Sequence, residues 1–166
     1  EHAGRVDPDN GRDRDPIRHR EVYDEVMALR PEVDAELADA LYASMLDQWQ
    51  AYPDADPTLA QLRGRGIRTA ILSNMGVDLH PVLARQGLTP LLDAVVLSWE
   101  CGAVKPEAEA FHAALRALGL APAQVLMVGD NSLDDAGAAA IGIRTLLLPR
   151  TMGAGARGLG IVIRLV

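Results

Sequence analysis

Val125-Leu126-Met127-Val128-Gly129-Asp130-Asn131-Ser132-Leu133-Asp134-Asp135 decides the fold: an apolar run without polar alternation breaks at a glycine into carboxylates and amides. Such a run predicts a strand covered on both faces, because a half-exposed strand alternates. Outward from it, a helix over 133–141 leads to a strand over 145–148, and a helix over 106–118 precedes it. Further upstream, helices over 57–63 and 79–85 alternate with strands over 67–72 and 94–97. Short apolar runs alternating with helices predict βαβ units, and hence an α/β fold with a doubly wound parallel sheet over residues 53–150.

Residues 1–15 are mostly Gly, Asp, Arg and Pro and read as an exposed, poorly ordered lead-in. Residues 16–52 carry two helical patterns. Val22, Val26 and Leu29 share one face with Tyr23 and Met27 beside it, and Val33, Leu37, Leu41, Met45 and Trp49 recur every fourth residue. Arg30-Pro31 divides them, since proline disfavours helical geometry before it and donates no amide hydrogen, so a helical hairpin packed through these stripes is expected. The tail, residues 151–166, contains Ile161-Val162-Ile163, which reads as an edge strand or as an extension covering the core.

The chain has 166 residues, 49% hydrophobic and 23% charged, enough for one main core with little aromatic packing. Its net charge of -7, with no block of Lys and Arg, argues against nucleic-acid or anionic-membrane partners. The one cysteine, Cys101, forms no internal disulfide, and no long apolar or signal-type segment opens the chain, so a reducing cytoplasmic setting is expected.

Ligands of open parallel sheets bind beyond the C-terminal strand ends, so the residues there are the ones to weigh. They are Ser73-Asn74 after the first run, Lys105 before a helix after the second, and Gly129-Asp130 followed by Asp134 and Asp135 after the third. In this order they resemble the second to fourth motifs of the haloacid dehalogenase-like (HAD) superfamily, whose pattern is Ser or Thr, then Lys, then Gly-Asp with a further acid. The resemblance spans residues 57–149 and implies a Rossmann-like core, with the helical hairpin similar to a small cap.

The resemblance further implies a hydrolase, with a phosphatase acting on a small phosphorylated substrate through an aspartyl-phosphate intermediate as the favoured branch. Ser73 with nearby backbone amides then donates to the phosphoryl oxygens, with Asn74 beside it counted among the catalytic residues, and Lys105 supplies the positive charge a phosphoryl transition state requires. Asp130 and a second acid hold Mg2+, a hard cation preferring oxygen ligands. Asp135 fits the longer family spacing and is preferred, and Asp134 fits the shorter.

The first family motif, an apolar strand ending in Asp-x-Asp, has no match. Asp7-Pro8-Asp9 has the letters, but the residues before it are too few and too polar for a buried strand. The chain is therefore expected to be truncated, to leave unpaired strand edges and to show no turnover. A non-catalytic binding module on the same fold, and a metal-independent haloacid dehalogenase, are the alternatives. Gly153, Gly155 and Gly158 read as a loop rather than a dinucleotide fingerprint, Asp7, Asp9, Asp13 and Asp15 as a solvated segment, and His19, His80 and His112 as dispersed. Oligomeric state and substrate identity are not legible.

Overall fold

A computed structural model describes residues 2–149 and 155–166 of the chain. In chain order its helices and strands are α1 (His2–Val6), α2 (Pro16–Met27), α3 (Ala35–Ser44), α4 (Ala55–Gly64), β1 (Ala70–Ser73), α5 (His80–Arg85), β2 (Ala94–Leu97), α6 (Ser98–Cys101), α7 (Ala108–Leu118), β3 (Leu126–Gly129), α8 (Gly137–Ala140) and β4 (Arg144–Leu147). The expected βα alternation is present. β1 pairs with β2 in parallel, Ala70 opposite Ala94 through Ser73 opposite Leu97, and β3 pairs with β4, Leu126 opposite Arg144 through Gly129 opposite Leu147.

The expected single sheet is two parallel pairs that do not hydrogen-bond to each other among the described residues. A common helical layer holds them together. Leu72 of β1 and Met127 of β3 both pack on the cluster of Phe111, Leu115, Ala138 and Ile143, and Phe111 is 1% exposed. Successive strand residues point to opposite faces, so Ile71 faces the other way, onto Leu79, Leu83, Leu88 and Leu97. The β1–β2 pair is thus covered on both sides, which accounts for its lack of alternation, whereas β4 is exposed at Arg144 and Leu147.

The hairpin forms with Tyr23, beside the first expected stripe, at the contact and Val22 of that stripe buried, but not through the leucines of the second. Asp15 caps α2 by accepting from Ile17 N at 2.7 Å and Arg18 N at 3.1 Å, with Pro16 at the first helical position. Asp34 caps α3 by accepting from Leu37 N at 2.8 Å. The helices meet through Ala38 and Tyr42: Tyr23 Oη donates to Ala38 O at 2.9 Å, His19 Nδ1 lies 3.0 Å from Tyr42 Oη, and the two tyrosine rings pack edge-on at 4.8 Å. Leu37 and Leu41, one position round the helix, are left exposed, as are Leu29 and Trp49. A one-residue offset turns a helical face by about 100°, enough to move the leucines out of the contact.

Residues 10–14 are half-buried and Asp7 is buried, so the segment is a folded one rather than a wholly exposed lead-in. Asp7, 5% exposed, accepts from Arg12 N at 2.9 Å and pairs with the Arg12 and Arg18 guanidiniums. Ser98 Oγ donates to Asp13 O and accepts from Met75 N, while Arg14 pairs with Glu107. Charge density in the sequence masked this, because the carboxylates and arginines satisfy each other. The segment lies so close to the loop after β1 that a Cβ on Gly76 would sit 1.9 Å from Arg12 O. Gly76→Ala is therefore expected to lift residues 7–14, destabilising the fold by about 1–3 kcal/mol and accelerating tryptic cleavage after Arg12 and Arg14. Unchanged cleavage would contradict that packing.

Ile161-Val162-Ile163 is part of a 3-10 helix, Leu159–Arg164, that buries Val162 and packs on α4, so the tail extends over the core rather than adding a strand. Gly153 lies outside the described residues. No helix among the described residues is long and apolar enough to cross a membrane.

Candidate functional site

Ser73 closes β1 and Gly129 closes β3, so Asn74 and Asp130 are the first residues past two C-terminal strand ends. Asn74 reaches the loop that carries Lys105. Its Oδ1 accepts from Lys105 N at 2.7 Å and its Nδ2 donates to Lys105 O at 2.9 Å. With the backbone held on both sides, the Lys105 side chain extends to Asp135, where Nζ donates to Oδ1 at 2.5 Å. The two side chains are 12% and 4% exposed, so the pair is shielded from water.

Asp135 Oδ2 accepts from Asp130 N and Asn131 N, both at 2.9 Å. Burial pushes this carboxyl up, but the Lys105 ammonium and the two amides outweigh it and hold it below the usual 3.8. Two glycines permit the approach. A Cβ on Gly129 would lie 2.1 Å from Asp135 Oδ2, and one on Gly137 would lie 2.7 Å from Pro106 Cβ, where α8 begins against the Lys105-Pro106 loop.

Asp130 Oδ2 accepts from Arg157 Nη2 at 2.5 Å, with the carboxylate 39% exposed. Asn131 Oδ1 accepts from Leu133 N at 2.9 Å, and Asn131 Nδ2 donates to Asp134. These side-chain bonds compete with helical ones, which is why the helix expected from 133 is reduced to Gly137–Ala140. The Ser73 hydroxyl has no hydrogen-bond partner among the described residues.

Asn74, Lys105, Asp130 and Asp135 are thus joined in one hydrogen-bonded chain across the ends of β1 and β3, with Ser73 and Asp134 each next to a member of it. Sequence reasoning preferred Asp135 over Asp134 as a second cation ligand, but both Asp135 oxygens are engaged. It also missed Arg157 and Ser98. Ser98 follows an apolar run, as Ser73 does, and no local signal separates the two. Nothing in the sequence around Arg157 marks it, because its partners lie far off in the chain. Among the described residues no three His, Cys, Asp or Glu side chains gather as a cage for a metal.

Residues 7–142 match the haloacid dehalogenase-like hydrolase family. The chain belongs to that family. This haloacid dehalogenase-like hydrolase is 38% identical over 122 residues to the phosphoserine phosphatase of Thermus thermophilus, covering 72% of this chain and 49% of that protein. It is 36% identical over 120 residues to the ribulose-1,5-bisphosphate 5-phosphatase of Halopiger xanaduensis, covering 71% and 50% respectively. The chain therefore spans about half the length of the curated relatives it matches. Its fold superimposes on the solved L-2-haloacid dehalogenase of Xanthobacter autotrophicus with a TM-score of 0.65 at 32% identity, covering 78% of this chain and 54% of that one. Relatives of the haloacid dehalogenase-like hydrolase thus include proteins named as phosphatases and as dehalogenases.

Proposed function

We propose that this rim is the phosphoryl- and cation-binding part of a Mg2+-dependent phosphatase acting on a small phosphorylated substrate. The observation that carries the reading is the hydrogen-bonded chain of Asn74, Lys105, Asp135 and Asp130 across two strand ends. It fixes the Lys105 ammonium on the buried Asp135 carboxylate and, through the Asp130 amide, ties in the residue whose half-exposed carboxylate follows β3, so that a cation for a phosphoryl group and a carboxylate for a divalent ion share one rim.

The oxygen-only donors Asp130 and Asp134 suit a hard cation, which commonly keeps several waters and one substrate oxygen beside one or two carboxylates. Bound there, Mg2+ supplies charge neutralisation for the phosphoryl oxygens. Lys105 carries three N–H donors, of which one faces Asp135, so the others are open to an anionic oxygen. The Ser73 hydroxyl donates from the neighbouring strand end. Asp135 orients Lys105 rather than binding the cation. Asn74 holds the Lys105 loop in register with β1.

In this chemistry a carboxylate oxygen attacks phosphorus while the ester oxygen leaves with a proton. No described strand leads into an Asp-x-Asp, and Asp7 follows a helix, so these residues alone are expected to release no phosphate from monoesters. Mg2+-dependent release by the purified chain would contradict that. The test of the binding reading is calorimetric titration of orthophosphate with Mg2+ or with chelator. Phosphate is expected to bind only with Mg2+, and Asp130→Asn is expected to weaken it at least about tenfold, the loss of one good charge-assisted contact. Chelator-insensitive binding of 2-chloropropionate with no binding of phosphate would instead favour a metal-independent dehalogenase.

A further inference from the structure

The tail delivers one cation to the rim that the phosphatase reading does not use. Arg157 is 8% exposed, and its guanidinium is held from several sides. Its Nη2 donates to Asp130 Oδ2 at 2.5 Å, its Nη1 donates to Pro149 O at 2.5 Å, and its Cζ stands 5.4 Å from the centre of the Tyr52 ring. The backbone beneath it is anchored separately. Asp54 turns its carboxylate away from capping α4 and accepts from Arg157 N at 2.9 Å, Gly158 N at 2.7 Å and Leu159 N at 2.8 Å. Burial raises the Asp54 carboxyl, but the three amides prevail and hold it low.

We infer that Arg157 is an internal counter-cation that occupies Asp130 and must be displaced before a divalent ion binds there, so that the tail sets the cation affinity of the site. The inference rests on the reading of Asp130 as a cation ligand. Its physical basis is competition: a planar guanidinium and a divalent ion seek the same carboxylate oxygens, and a guanidinium preorganised by Pro149, Tyr52 and Asp54 gives up little entropy to hold its place. Linkage makes the effect reciprocal, so cation binding loosens the Arg157 side chain by as much free energy as Arg157 subtracts from cation binding.

The test is Mn2+ binding to the whole chain, followed by calorimetry and by the paramagnetic signal of free Mn2+. Arg157→Met keeps the apolar stem against Tyr52 and removes the charge. It is expected to bind Mn2+ about tenfold more tightly or better than the parent, a gain near 1.4 kcal/mol. Arg157→Lys, a point charge without the fork, should fall between them. Asp54→Asn weakens the anchor without touching the guanidinium and should shift affinity in the same direction, which decides the matter if Arg157→Met does not fold. Equal or weaker Mn2+ affinity in these variants would overturn the inference and show Arg157 as a positioning residue for Asp130. Mn2+ binding that survives Asp130→Asn undiminished, or no Mn2+ binding in any variant, would instead overturn the cation reading of Asp130 itself.

Discussion

Replacing Lys105 by methionine is expected to lower the free energy of unfolding by about 3–5 kcal/mol, the range for removing one partner of a buried ion pair. For a chain of this size that is a fall of roughly 10 °C in Tm. The stem volume is kept, so lost packing contributes little. What remains is the Asp135 carboxylate, its side chain 4% exposed, with two amides on one oxygen and no cation on the other. The sign with pH follows from the lowered pKa of Asp135. Its contribution is present above the ordinary 3.8 and is lost as pH falls through the lower folded-state value, so parent and variant should converge in acid. Adding Asp135→Leu to Lys105→Met should restore part of the loss by removing the stranded charge. Thermal unfolding of the three chains across pH checks this, and a Lys105→Met chain as stable as the parent would contradict a buried pair.

Gly129→Ala is expected to be as damaging for a different reason. The new methyl group would lie 2.1 Å from Asp135 Oδ2 and 2.3 Å from Cγ, inside van der Waals contact with a side chain fixed at both oxygens. Relief requires Asp135 to move, which breaks its bonds to Lys105 and to the Asp130 and Asn131 amides together. A cost of about 3 kcal/mol or more combines overpacking with loss of the pair. The same substitution at Gly64, which has open space around it, should cost far less and serves as the control. Equal melting curves for the two variants would show that the Asp135 site tolerates displacement.

Much of the fold was legible because burial on both faces leaves a plain mark. The run from Ala94 to Leu97 is a strand with the bounds expected from its apolar residues, and β3 and β4 differ from expectation by a residue at each end. Less was legible where polar side chains compete with the backbone. Asn131 bonds its own downstream amides and shortens α8, and Asp7, Arg12 and Arg18 turn a charged lead-in into a folded segment. The division of the sheet into two pairs depends on which strands meet, and apolar runs do not encode that.

At the candidate site, the order of Ser73, Lys105 and Asp130 could be read because strand ends in parallel sheets point to one rim. The role of Asp135 could not. A carboxylate five residues after Asp130 suits a cation ligand and an anchor for Lys105 equally well by spacing alone, and only the engagement of both its oxygens favours the anchor. Arg157 reaches Asp130 through a turn of the tail held by Asp54, a contact between residues distant in sequence with no periodicity to announce it.

The ends of β1 and β3 are proposed to receive a phosphoryl anion together with a divalent cation. Amide shifts of the 15N-labelled chain during titration with orthophosphate, with and without Mg2+, test it most directly. Perturbations centred on Asn74, Lys105, Asp130 and Asn131 are expected to grow when Mg2+ is added and to fade in Asp130→Asn. Shifts confined to other parts of the chain, or none at saturating phosphate and Mg2+, would contradict it.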